Sequence, residues 1–159
     1  HLVEMASVQK TLEALGVDRA AAEEARAILR GKTFWKITGR ALARTEYEAS
    51  IKTIWSFLPK KDFEKTNHPR TNVPHIFYEL KKLRPEGSFH AFLWERASTE
   101  ENTDGKISAI IAAKNRDHLA VIADALGARV ENEHCVTDDF KSFSEAETKI
   151  RSSIQRAIS

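Results

Sequence analysis

The chain has 159 residues, 42% of them hydrophobic and 30% charged, with a formal net charge of +2. That length supports one buried core without covalent staples, and the composition is ordinary for a globular protein. The single cysteine, Cys135, excludes an intrachain disulfide framework, and no apolar run reaches the roughly 20 residues of a membrane-spanning helix.

His1 to Glu4 precede Met5 and read as a cloning remnant. The expectation is therefore a single domain over 5–159, with 5–31 as a helical N-terminal segment or appendage. Ser7 to Leu15 forms a short helix with Val8, Leu12 and Leu15 on one face and Gly16 as its stop. Asp18 caps a second helix through Arg30, ended by Gly31. The next segment, 32–44, fits two patterns. Phe34, Trp35, Ile37 and Thr38 favour a strand by residue type, whereas Phe34, Ile37, Ala41 and Leu42 recur at helical spacing.

Thr45-Glu-Tyr-Glu48 has the form of a capping box and predicts a helix from Glu46. Tyr47, Ile51, Ile54, Trp55 and Leu58 would give that helix an apolar face, and Pro59 would end it. The polar, basic stretch 60–72 reads as a long loop. Alternation over 74–83 predicts a strand, Pro85-Glu-Gly87 a turn, and 88–96 a second strand that is apolar on both faces. An acidic loop over 97–105 leads to a third strand at 106–113. Asn115 caps a helix with Leu119, Ile122 and Leu126 facing inward, ended by Gly127. A fourth strand follows at 129–137, then a helix opened by Ser144-Glu-Ala-Glu147 and lined by Ile150, Ile154 and Ile158. The fold class is α+β, an antiparallel meander of three or four strands packed against helices.

The charge is unevenly placed. From Arg30 to Arg84 thirteen Lys/Arg face five Asp/Glu, a net of +8, which leaves −6 for the remainder of the +2 chain. Most of the aromatic residues share that basic segment, a combination suited to a polyanion. Lys32, Lys36, Arg40 and Arg44 lie on one side whether the segment is helix or strand. Lys60, Lys61, Lys65 and Arg70 supply a second row, and Lys81, Lys82 and Arg84 a third. Trp35 or Phe63, left exposed among them, would stack on an unpaired base.

The strand-strand-strand-helix order over 74–127 resembles a double-stranded RNA-binding domain in topology alone. Such domains carry a lysine-rich stretch at the start of the last helix. Here Lys114-Asn-Arg116-Asp-His118 has fewer lysines and an acid, so no family is assigned. His90 lacks the second histidine of a metal-dependent nickase, and His68 and His75 offer supplementary phosphate contacts at most. His134 and Cys135 are adjacent, hence on opposite strand faces, which disfavours an activated thiolate.

Together these features predict a non-enzymatic nucleic-acid-binding protein, with RNA ahead of DNA, no metal and no cofactor. It would reside inside the cell, in the cytoplasm, nucleus or nucleoid, without a membrane partner. The alternative is a protein-interaction or self-assembly module, a homo-oligomer included, that joins the basic segment to acidic patches at Glu95, Glu100, Glu101 and Asp104 or at Glu131, Glu133, Asp138 and Asp139. A third reading is a small metal-dependent nuclease or nickase whose site is assembled from remote residues.

Overall fold

A computed structural model describes residues 19–98 and 106–159, with side chains from residue 31. The expected helix over 7–15, the Asp18 cap and the acidic residues Glu100, Glu101 and Asp104 lie outside the described residues. Helix α1 (Arg19–Ala43) is interrupted at Gly31, whose φ of +63° and ψ of −167° are not helical. The ambiguous segment 32–44 is helical up to Ala43, because Phe34, Ile37 and Ala41 are all buried at helical spacing.

The helix expected from Glu46 is instead a hairpin, β1 (Glu46–Glu48) and β2 (Thr53–Leu58), joined by a short 3-10 turn. Lys52 adopts φ 49° and ψ 43° and redirects the chain into β2. Helical spacing had placed Trp55 and Leu58 on one face. In the sheet they enter two different cores, one on each side. Continuous burial along Thr53–Leu58 marks a central strand rather than an amphipathic helix.

The expected loop at 60–72 folds as α2 (Lys60–Thr66) and a 3-10 turn, anchored by buried Phe63. The strand expected at 74–83 is helix α3 (Val73–Leu83), with Pro74 in its first turn and Val73, Ile76, Phe77 and Leu80 buried. Proline is tolerated there because the first helical N–H groups have no intrahelical acceptor.

Strands β3 (Phe89–Glu95) and β4 (Ile107–Ala113) form the expected antiparallel pair. In α4 (Arg116–Leu126) the Asn115 side chain accepts from the N–H groups of Asp117 and His118, and left-handed Gly127 closes the helix. The single strand expected at 129–137 is a second hairpin, β5 (Arg129–Glu131) and β6 (His134–Phe140). Its turn is formed by Asn132 and Glu133, both at positive φ. Helix α5 (Phe143–Ile158) starts one residue before Ser144, the expected cap. Ser142 Oγ accepts from Glu145 N–H, and the Glu145 carboxylate accepts from Lys141 N–H.

The described residues thus form a mixed α+β fold of five helices and one six-stranded sheet, ordered β1-β2-β3-β4-β6-β5. Only β2 and β3 run parallel, so the expected meander of three or four strands is corrected to six strands with a crossover. Helices α1, α2 and α3 pack on one face around Phe77 and Phe92, while α4 and α5 pack on the other around Leu93 and Ile111. Across the sheet, the carboxylate of Glu48 accepts from Trp55 Nε1 at 2.9 Å and from Arg151 Nε and Nη2 at 3.1 and 3.0 Å, tying α5 to the β1 edge.

The crossover returns to β3 through Gly87. A Cβ at that position would stand 2.8 Å from both Ile54 Cγ1 and the Phe89 carbonyl oxygen. Gly87→Ala is expected to lower stability by about 1–3 kcal/mol through overpacking against β2. Urea unfolding would measure it, and a loss below about 0.5 kcal/mol, the range of an ordinary surface change, would refute the close approach.

Candidate anion-binding pocket

Antiparallel pairing sets Phe89 at the start of β3 opposite Ala113 at the end of β4. The C-terminus of α3 must reach the same edge, because it feeds β3 through 84–88. Lys81 and Arg84 therefore meet Lys114, which directly follows β4. Lys114 N–H donates to the Ser88 carbonyl at 3.1 Å, and its Nζ donates to the Pro85 carbonyl at 2.8 Å. These residues enclose a cavity of about 200 Å³ lined by Lys81, Arg84, Pro85, Gly87, Ser88, Phe89, His90, Ala112, Ala113 and Lys114. Three cations line it and, among the described residues, no carboxylate does, although Arg84 Nε donates to the Glu86 carboxylate beside it.

The floor follows from sheet register. Ile54, His90, Ala112 and His134 stand in one row across β2, β3, β4 and β6. Ala112 is the small member between two imidazoles, and its missing side-chain volume leaves room above it. Phe77 of α3 lies over the row, its ring centroid 5.1 Å from that of His90 and 5.4 Å from that of His134. Lys81 Nζ sits 4.8 Å from the same Phe77 centroid and donates to His134 Nε2 at 2.6 Å.

A relay of hydroxyls fixes the state of His90. Thr45 Oγ1 donates to the Ala41 carbonyl at 2.7 Å, so its oxygen accepts from Ser56 O–H at 2.8 Å. Ser56 Oγ in turn accepts from His90 Nε2–H at 2.8 Å, which leaves Nδ1 as a lone pair. That Nδ1 is buried without a hydrogen-bond partner. Burial, reinforced by the charges of Lys81 and Arg84, brings the His90 pKa down to about 4. His134 is also held below its ordinary 6.5, first by burial and then by Lys81. Burial lowers the Lys81 ammonium too, while Glu133 opposes the shift. At neutral pH the cavity thus carries its charge on Lys81, Arg84 and Lys114, beside two uncharged imidazoles.

A larger cavity of about 540 Å³ lies between α4, β6 and α5. Its carboxylates already have partners. Asp139 pairs with Arg96 and Lys106, and Asp138 accepts from Ser108 and faces Arg129. Cys135 faces the core on that side, where burial raises its thiol to about 11, while His134 faces α3. The two adjacent residues do not form a catalytic pair. Among the described residues no three His, Cys, Asp or Glu converge as metal ligands. None of the described helices is long and apolar enough to cross a membrane.

Of the twelve residues expected to contact nucleic acid, Lys81 and Arg84 alone line this cavity. Lys32, Trp35 and Lys36 are exposed on α1, with Trp35 edge-on to Phe34. The other half of that stripe is engaged. Arg40 and Arg44 grip the fully buried Asp62 at 3.0 and 2.6 Å. Lys60 pairs with Glu64 and donates to Ser98, while Lys61 and Lys65 are exposed on α2. Arg70 donates to the Glu95 carbonyl and lies 4.3 Å above the Phe63 ring. Lys82 pairs with Glu79 over Tyr78. Phe63, expected as a stacking platform, is buried in the core. His68 is buried between Thr33 Oγ1 and Asn72 Nδ2, each at 3.0 Å, rather than offered to phosphate. Lys114, His90 and His134 escaped the sequence reading as a group, since only sheet register brings them together.

No protein-family model and no curated protein matches the chain. Among solved structures, an exopolyphosphatase-related protein from Bacteroides fragilis shares the fold. The TM-score is 0.69 over 91% of this chain, at 12% sequence identity. The chain spans 41% of that protein's length. At this identity the likeness establishes the fold alone. The expectation of a non-enzymatic nucleic-acid-binding protein is corrected on two findings. The fold is shared with an exopolyphosphatase-related protein, and the basic, aromatic-interleaved segment is divided between ion pairs, core and separate surfaces.

Asp62 has no exposed surface, so its two arginines hold an otherwise isolated buried charge. Replacing both, Arg40→Ala with Arg44→Ala, is expected to cost about 3–5 kcal/mol, the loss seen when a buried charge is left unpaired. Chemical denaturation tests this. A loss below about 1 kcal/mol would place the pair among ordinary surface contacts.

Proposed function

We propose that this chain is a phosphoanion-binding domain, gripping phosphoryl groups of an acidic substrate for a phosphoester- or phosphoanhydride-cleaving enzyme. The observation that carries the reading is the convergence of Lys81, Arg84 and Lys114 on a carboxylate-free cavity. Three cations at a concave site suit a compact polyvalent oxyanion, because charge-assisted hydrogen bonds are the strong ones. Ser88 adds a hydroxyl donor to the lining. The structural neighbour is described as exopolyphosphatase-related, which supports a substrate composed of phosphoryl groups. In this reading the described residues hold the substrate, and groups outside them cleave the bond.

Pyrophosphate titration by calorimetry is the direct test. Arg84→Gln with Lys114→Gln is expected to weaken binding roughly tenfold to a hundredfold, at about 1.5–3 kcal/mol for charge-assisted hydrogen bonds. Circular dichroism would confirm that the variant is folded. Lys36→Gln, outside the cavity, is expected to change little. Absence of binding by the wild-type protein, or equal weakening by Lys36→Gln, would overturn the assignment.

A further inference from the structure

Lys81 is held by an uncharged base rather than by an acid. Its Nζ lies 2.6 Å from His134 Nε2, and among the described residues it makes no ion pair, the charge of Glu133 acting on it from farther away. His134 can accept this bond only while Nε2 keeps its lone pair, that is, while the imidazole is neutral. A protonated His134 and Lys81 would be two donors facing each other. An anion in the cavity would then take the Lys81 ammonium in place of the imidazole. We infer that the Lys81–His134 hydrogen bond is a proton-operated latch on the pocket, with His134 as a positioning residue that couples anion binding to proton uptake.

The proposal rests on the reading of the pocket as an anion site. His134 itself does not line the cavity and acts through Lys81. The charged and titratable groups facing it are few. Lys81 comes from α3, and His90 lies across the Phe77 ring. Glu131 is its register partner on β5 but is paired with Arg129, and the neighbouring Glu133 is paired with Arg116 at 3.1 Å. Beneath them Ala112, the residue between the two imidazoles, brings no charge. Burial and then the Lys81 charge hold His134 neutral when the pocket is empty, with Glu133 opposing them.

The sign follows from linkage. A bound anion offsets the Lys81 charge that lowers His134, so the proton affinity of His134 rises on binding. Anion affinity must then increase as pH falls through the titration of His134, which in the free protein lies below the ordinary 6.5. At neutral pH the latch is closed and Lys81 stays with His134. At lower pH it opens and Lys81 turns to the anion.

Sulfate is the suitable probe because its own charge stays constant over this range. In the wild-type protein, sulfate affinity by calorimetry is expected to tighten roughly tenfold from about pH 8 to about pH 5. In His134→Gln the amide oxygen can still accept from Lys81 but cannot titrate, so most of the tightening should be lost, any remainder belonging to His90, which lines the cavity and titrates at about 4 in the free protein. In parallel, the proton NMR titration of His134 is expected to move to higher pH when sulfate is added. Persistence of the wild-type pH dependence in His134→Gln, or a His134 titration indifferent to sulfate, would overturn the latch while leaving the pocket intact. Absence of sulfate binding at every pH would overturn both the latch and the anion-site reading.

Discussion

The parallel pairing of β2 with β3 is the constraint on which the rest of the molecule depends. Parallel neighbours cannot be joined by a tight turn, so the chain must cross the sheet and return. Here the return runs through α2 and α3, and their apolar faces cover one side of β2, β3 and β4 together with α1. The crossover also dictates where α3 ends. Its last turn has to lie at the edge where β3 begins, and antiparallel pairing places the end of β4 at that edge as well. Cations separated by thirty residues in sequence, Lys81, Arg84 and Lys114, become neighbours as a consequence of connectivity.

The distribution of charge is settled by burial rather than by sequence proximity. Asp62 is a single acid among many basic residues, and a count of charges gives it little weight. Fully buried in the first turn of α2, it draws two arginines off α1 and fixes how the two helices meet. Arg70 is likewise directed inward to the Glu95 carbonyl, where its guanidinium covers Phe63. Of the eight aromatic residues in the basic run four are buried, Phe34, Trp55, Phe63 and Phe77, while Trp35, Tyr47 and Tyr78 stay exposed. The pattern that suggests an extended polyanion surface is in large part the pattern of a core with its ion-paired border.

Legibility in the sequence divides along physical lines. Elements defined by local chemistry were readable: β3 and β4 from continuous apolar runs, α4 from its Asn115 cap and Gly127 stop, α5 from its spaced isoleucines, although its capping box is Ser142 with Glu145 rather than Ser144 with Glu147. Elements defined by tertiary burial were misread. Ile51, Ile54, Trp55 and Leu58 recur at helical spacing, yet a doubly covered strand is apolar on both faces and produces the same spacing by chance. In α3, Val73, Ile76, Phe77 and Leu80 form a helical stripe that the simultaneous alternation of 74–83 concealed. The pocket was legible only in fragments. Lys81 and Arg84 stood out by charge, but the row of His90, Ala112 and His134 depends on the registers of three strands.

Core and pocket share one residue. Phe77 packs against Phe92 in the α1–α3 core, and the same ring contacts His90, His134 and Lys81. The ammonium of Lys81 therefore lies against an apolar surface that limits its hydration. Three features compensate it: the carbonyl end of α3, the face of Phe77 and the lone pair of His134. Each attracts a cation, yet none carries a formal negative charge. A carboxylate in place of His134 would neutralise Lys81 and remove its field from the cavity. A neutral imidazole holds the ammonium in position and leaves its charge available to a ligand.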